Sequence, residues 1–401
     1  MQRKFIKKSL RIRAGVLAAV IGFISITTLS AQFYGTAETV FTDAAESCIV
    51  IEAVTGEILY EKNAQEERPM ASTTKIMTTL LCLESGVENG DLDTEFVVDS
   101  DAIQVEGSSM GLVEGDVVTK RTLCYGMLLP SGNDAAGAAA VKLAGSYEAF
   151  ADCMNEKAAQ LGMEHTHFVT PSGLHDDAHY STAYDMAILT ATALQNEIFC
   201  EICSQFKAKV CFGNPPYDRW LQNSNKLLEM DDSVIGVKTG FTDEAGRCLV
   251  SAAQRDDVTL ICVTLNDPND WQDHLALYDI CFAEIEPVTL EVQSWEIPVV
   301  GGTASSASIG MESGLTIGTT DGRIPDVSYT IQTDPVLYAP VESGVQVGTW
   351  TTQLDGRTIA VGGLYTQESV SYREKTETTD SQTEISWFGR IWKKIKALFA
   401  R

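Results

Sequence analysis

Ala71-Ser72-Thr73-Thr74-Lys75-Ile76-Met77-Thr78 sets a serine and a lysine three residues apart at the start of an apolar run. Positions i and i+3 of a helix share a face, so the Lys75 amine can reach the Ser72 hydroxyl. A serine hydroxyl is a poor nucleophile at neutral pH until an adjacent base takes its proton. A lysine acts as that base only when burial or a nearby cation lowers its pKa. The same serine could instead cap the helix by accepting one of its first free N–H groups. This stretch alone fits both readings.

Downstream of Ser72, the helix turns Ile76, Met77, Leu80 and Leu81 inward and is expected to stop near Gly86. Upstream, Ile49-Val50-Ile51 and Ile58-Leu59-Tyr60 flank Val54-Thr55-Gly56-Glu57, two strands around a turn. Residues 88–118 are acidic and glycine-rich, with strand-like pieces such as Glu95-Phe96-Val97-Val98. From Thr119 a helical pattern runs to Pro130, which cannot continue it. Ser131-Gly132-Asn133 follow, and then an alanine-rich helix over 134–143. A short polar loop between two helices can hold side chains over a cleft. The same residue types also make plain turns. A helix over 146–161 is closed by Gly162, and Ser181-Thr182-Ala183-Tyr184-Asp185 opens another. His165, His167, His175 and His179 cluster between them, with no ligand partner at a recognised spacing, so no metal site is expected.

From Val234 the period changes. Val234-Ile235-Gly236-Val237-Lys238-Thr239, Cys248-Leu249-Val250-Ser251 and residues 258–265 read as an antiparallel meander. Asp267-Pro268 precede a helix with Trp271, Leu275, Tyr278 and Phe282 at helical spacing. After Pro287 Gly, Val and Thr dominate up to Val370, a separate β domain over 287–370. Residues 371–386 read as a polar linker. In 387–401, Trp387, Phe388, Ile391, Trp392, Ile395, Leu398 and Phe399 recur along one helical face. Arg390, Lys393, Lys394, Lys396 and Arg401 stand among them without an acidic residue. A basic amphipathic helix rich in Trp and Phe suits an anionic membrane surface.

The 401-residue chain, 44% apolar, is long enough for a large core and more than one domain. Its formal net charge of -26 argues against nucleic acid as a partner. The first residues are nonetheless basic (Arg3, Lys4, Lys7, Lys8, Arg11, Arg13), and an apolar run over 14–29 follows. Small residues near Ala31 and Ala37 offer cleavage sites, so residues 1–37 read as an export signal; an uncleaved anchor is the alternative. The ten cysteines mostly lie inside apolar runs, as reduced core thiols do.

Ser72-x-x-Lys75, Ser131-Gly132-Asn133 and Lys238-Thr239-Gly240 occur in the order found in penicillin-binding proteins and serine β-lactamases. Asn223-Ser224-Asn225-Lys226-Leu227-Leu228, Phe241-Thr242-Asp243-Glu244-Ala245-Gly246 and His179-Tyr180-Ser181-Thr182-Ala183 extend the likeness. So does Leu337-Tyr338-Ala339-Pro340-Val341 in the β domain. Over about residues 45–370 the chain resembles the low-molecular-mass penicillin-binding proteins, the D-alanyl-D-alanine carboxypeptidases of peptidase family S11. The resemblance implies an α/β (α+β) fold. A β-lactamase/transpeptidase-like domain (45–286) would carry an antiparallel sheet and a helical subdomain. A small all-β domain and the amphipathic C-terminal helix would follow.

The same resemblance implies that Ser72 attacks the penultimate D-Ala carbonyl of a peptidoglycan stem peptide, with Lys75 as base and Ser131 as proton relay. Asn133 would orient Lys75 and the substrate amide. Lys238 and Thr239 would bind the terminal carboxylate, Gly240 would admit the peptide, and Phe241 would lend its backbone N–H to an oxyanion hole with that of Ser72. β-Lactam antibiotics would acylate Ser72, and neither metal nor organic cofactor is called for. The enzyme would work outside the cell, at the outer face of the cytoplasmic membrane. A D,D-endopeptidase or a serine β-lactamase would use the same site. No Glu-x-x-Leu-Asn segment between the second and third motifs supplies a β-lactamase's deacylating glutamate.

Overall fold

The computed structural model describes residues 44–354 and 356–374. The expected export signal, the rest of the linker and the amphipathic tail lie outside the described residues.

Strands β1 (Ser47–Glu52) and β2 (Ile58–Lys62) pair as a hairpin. A 3-10 turn, Ala71–Thr74, then feeds directly into α1 (Lys75–Glu88). Ser72 lies within that turn, and neither Met70 nor Thr74, the residues at the two helical starts, makes a side-chain cap bond. The capping alternative for Ser72 is therefore not what the chain adopts. The helix also runs through Gly86 to Glu88. A small ribbon, β3 (Phe96–Val97) with β4 (Val117–Val118), brackets the acidic loop. Helices α2 (Lys120–Leu128), α3 (Asn133–Ala144) and α4 (Tyr147–Leu161) pack around α1. Thr119 and Ser146 cap α2 and α4, accepting from the Thr122 and Ala149 N–H groups.

Helix α5 (Ala183–Ala193) is capped by Thr182, and α6 (Glu197–Cys203) follows. Residues 207–222, unassigned from the sequence, form a hairpin of β5 (Lys207–Gly213) and β6 (Pro216–Gln222). Its signal was present in Ala208, Val210 and Phe212, buried at alternate positions. One helical turn, α7 (Leu227–Met230), leads to the meander β7 (Val234–Thr242), β8 (Gly246–Arg255) and β9 (Val258–Leu265), and α8 (Asp270–Glu284) closes this part.

The antiparallel sheet has the order β2-β1-β9-β8-β7. Helix α5 lies against β1 and β9, and α8 against β8, β9 and β2. Strands covered on both faces need apolar residues on both. That is why all six residues of β1 are buried and why β9 reads Leu-Ile-Cys-Val without alternation. One core runs from the sheet (Ile49, Val250, Ile261, Val263) into the helical layer (Leu80, Leu83, Met127, Phe150). Strand β7 is left at the sheet edge, beside the turn that carries Ser72.

Eight further strands follow: β10 (Glu286–Leu290), β11 (Ser294–Val300), β12 (Ser306–Met311), β13 (Leu315–Thr319), β14 (Val327–Thr333), β15 (Leu337–Tyr338), β16 (Gln346–Leu354) and β17 (Arg357–Thr366). Strand β10 pairs with β13, and the others form a sheet of order β14-β16-β17-β12-β11-β15. Ile297, Val299, Ile309 and Leu364 make its own small core. A second cluster, Leu290, Ile317 and Ile359, takes in Val54 from the β1–β2 turn. Arg357 donates to the carbonyls of Val54 (3.4 Å) and Thr55 across the same junction. The ten cysteines are free thiols, most of them in the core.

Candidate active site

The turn before α1 is built by its own threonines. Thr73 Oγ1 donates to Met70 O (2.6 Å) and Thr74 Oγ1 to Ala71 O (2.8 Å). Ala71 is held at φ 47°, a left-handed conformation that costs a residue with a Cβ about 1–2 kcal/mol. Ser131 sits at φ 64° in the loop between α2 and α3. Non-glycine residues held in this region cluster at functional sites.

Lys75 is fully buried. Its Nζ lies 2.9 Å from Ser72 Oγ and donates to Asn133 Oδ1 (2.7 Å) and to the carbonyl of Ser172 (2.7 Å). A neutral amine has two N–H groups and one lone pair. In that form the Asn133 and Ser172 acceptors would take both N–H groups and leave the lone pair to Ser72, whereas the charged amine donates to Ser72 as well. Burial holds the Lys75 pKa well below its usual value, the charge of Lys238 lowers it further, and Asp134 opposes them. Lys238 is itself buried, which pushes its pKa down to about 7, and its Nζ donates to Thr239 O (2.7 Å).

Asn133 is fixed from both ends: Nδ2 donates to Glu106 O (2.7 Å) and its backbone N–H to Ser108 O (2.7 Å). The next residue, Asp134, secures the same loop. Its buried carboxylate accepts from the backbone N–H groups of Met110 (2.9 Å), Gly111 (3.0 Å) and Leu112 (2.9 Å) and from Ser109 Oγ (2.6 Å). On the opposite wall, Thr239 Oγ1 lies 2.6 Å from Ser224 Oγ. A Cβ on Gly240 would stand 3.0 Å from Met70 O and 3.1 Å from Ser72 N, so glycine lets β7 press against the turn that carries Ser72. Phe241 projects outward, 63% exposed.

Ser72, Ser131, Ser224, Thr239, Phe241 and Arg247 line one cleft of about 380 Å³. Arg247, opposite Phe241 on β8, was not singled out by its sequence context. Its Nη2 donates to both carboxylate oxygens of buried Asp270 (2.6 and 2.8 Å), and the guanidinium lies 5.3 Å from the Trp271 ring centroid. Trp271, the first of the residues at helical spacing in its helix, lines the cleft as well. The candidate side chains Ser72, Lys75, Ser131, Asn133, Lys238 and Thr239 come together here from three places: the turn and start of α1, the loop before α3, and strand β7. Ser172 was beyond sequence reading because it acts through its carbonyl. Asp134 did carry a signal, as an acid in the first turn of α3. Of the four clustered histidines, only His179 is buried.

A serine facing a buried lysine, at the seam between a helical layer and the edge of an antiparallel sheet, places the molecule among the penicillin-recognising serine peptidases. The family pattern described as D-alanyl-D-alanine carboxypeptidase matches residues 35–269, and that of the penicillin-binding protein 5 C-terminal domain matches 291–372. The chain belongs to peptidase family S11, the low-molecular-mass penicillin-binding proteins known as D-alanyl-D-alanine carboxypeptidases. It is 31% identical to the carboxypeptidase DacF of Bacillus subtilis over 81% of this chain and 86% of that one. To DacA of Escherichia coli K12 it is 32% identical over 88% of each chain. Penicillin-binding protein 5 from Haemophilus influenzae superposes with a TM-score of 0.60 at 27% identity, covering 82% of this chain and 98% of that structure.

Proposed function

We propose that Ser72 is the nucleophile and Lys75 the general base of a carboxypeptidase that removes the terminal D-Ala from peptidoglycan stem pentapeptides. The observation that carries this is the buried Lys75 Nζ, 2.9 Å from Ser72 Oγ and held between Asn133 Oδ1 and the Ser172 carbonyl. Ser72 Oγ attacks the penultimate D-Ala carbonyl as Lys75 takes its proton. The oxyanion forms between the backbone N–H groups of Ser72 and Phe241. Ser131 passes the proton from Lys75 to the departing amine of D-Ala. Lys238 and Thr239 hold the terminal carboxylate, with Arg247 adding a cation that Asp270 keeps in place. Water, activated by the same lysine, then releases the shortened peptide. A β-lactam offers the same carbonyl and carboxylate, and its leaving amine stays tethered, so the acyl-enzyme persists. Incubation with penicillin, digestion and mass spectrometry should find the adduct on the peptide containing Ser72. An adduct on another residue, or none, would overturn the assignment.

We further infer that the enzyme is exported and held at the outer face of the cytoplasmic membrane through residues 387–401, whose cations and aromatic face support that reading. Deleting 387–401 should release the protein from anionic vesicles. Retention equal to that of the full chain would contradict the anchor.

A further inference from the structure

His179 takes no part in the chemistry above, yet its imidazole touches both segments that set it up. It is 3% exposed. Its Nδ1 accepts from the backbone N–H of Val169 (2.9 Å) and, at longer range, from that of Thr170 (3.3 Å). With Nδ1 an acceptor, the ring proton must reside on Nε2. Nε2 lies 2.8 Å from Thr74 Oγ1, whose own proton goes to Ala71 O (2.8 Å). A continuous relay therefore runs from Val169 N–H through the ring and Thr74 to the strained residue preceding Ser72. Burial pushes the His179 pKa down to about 4, which keeps this neutral tautomer in place at neutral pH.

The two segments joined by the ring are the two that fix the catalytic pair. The turn 71–74 presents Ser72, and the loop 169–174 presents the Ser172 carbonyl that occupies one N–H of Lys75 at 2.7 Å. They meet backbone to backbone, since a Cβ on Gly173 would lie 1.9 Å from Ala71 O. We propose that neutral His179 is a positioning residue for acyl transfer: it locks the loop 169–174 to the turn 71–74 and thereby sets the alignment of Lys75 with Ser72. Other ties hold the loop to the fold without touching that alignment. Asn155 bonds both the N–H and the carbonyl of Phe168 (2.8 Å each), and Thr78 Oγ1 donates to Pro171 O (2.6 Å). The molecule should therefore fold without the imidazole.

The proposal rests on Ser72 and Lys75 acting as nucleophile and base, and its test separates the two ideas. Single-turnover acylation by fluorescent penicillin would be followed across pH for the full chain, His179→Ala, His179→Gln and His179→Asn, with thermal unfolding of each. The Gln amide N–H can replace the donor to Thr74, and the Asn amide oxygen the acceptor from Val169. His179→Ala is expected to slow acylation about 100-fold, the scale of an ångström-sized misplacement. Its acid limb should move to higher pH, because a loosened loop admits water to Lys75. His179→Gln and His179→Asn, each keeping half of the bridge, should fall between parent and His179→Ala. Rates within about threefold of the parent in all three variants, a scale smaller than any such misplacement, would overturn the proposal. So would a loss that tracks the folded fraction with no displaced limb. Should His179→Ala fail to fold, parent-like rates in both amide variants would overturn it equally. Labelling of Ser72→Ala would instead bring down the underlying assignment.

Discussion

Lys75→Ala is expected to slow acylation by penicillin, and release of D-Ala, by at least about 10³-fold, within the range that a positioned general base contributes. The reason is geometric. Asn133 Oδ1 and the Ser172 carbonyl take two protons of the amine, so only the neutral form has an electron pair left for Ser72. The protonated form donates to all three neighbours and cannot act as a base. In the parent, acylation should therefore fall as pH drops through the Lys75 pKa, which burial and the charge of Lys238 hold well below 10.5. Lys75→Arg keeps a cation that does not deprotonate and should be as slow as Lys75→Ala, with no acid limb. Stopped-flow measurement of acylation between acidic and alkaline pH tests this. An arginine variant within tenfold of the parent would show that Lys75 supplies charge and not basicity. The lowered pKa also has a thermodynamic sign. Between the folded pKa and 10.5 the unfolded chain binds a proton that the folded chain does not, so this group makes stability rise with pH in that window.

The second large effect is steric. Gly173→Ala should cost about 3 kcal/mol or more of stability and remove most activity, because it joins two of the mechanisms behind severe substitutions. Gly173 sits at φ +81, and its Cβ would lie 1.9 Å from the Ala71 carbonyl oxygen and 2.4 Å from its carbon, backbone atoms that cannot swing away. Relief requires the turn carrying Ser72 and the loop carrying Ser172 to part. Gly90→Ala provides the control: φ is +64 there, and nothing lies within 4 Å of the added carbon. That change should cost only the backbone strain, about 1–2 kcal/mol. Urea unfolding of both variants measures the difference, which is the contact contribution. Equal costs would mean that turn and loop can separate freely.

Much of this site was legible in the chain because it is written in local patterns. Ser72 and Lys75 are three residues apart, Ser131 and Asn133 two apart after a proline stop, and Lys238 and Thr239 adjacent on a β-rich run. Helix starts at Thr119, Ser146 and Thr182 follow from capping residues whose hydrogen bonds span three positions. Two features were not read from the sequence, for equally physical reasons. The start of α1 is a 3-10 turn closed by Thr73 and Thr74, so Ser72 is carried inside the turn and not at a cap. The period-2 pattern of residues 207–222 is interrupted by Asn214 and the two prolines at its tip, which hides a hairpin whose strands pair over its whole length.

The sequence by itself therefore determined the candidate nucleophile, its candidate base and the order of the elements that bear them, since each depends on side-chain identity at short separation. Only the tertiary structure decided how the base is made ready. The second acceptor for Lys75 is the carbonyl of a residue 97 positions away, a group every residue possesses and no sequence can mark. His179, 105 positions from Thr74, and Asp270, 23 from Arg247, are chosen by the same long-range packing. Burying two lysines together depends on which surfaces close over them, and that closure is what lowers the pKa of both amines.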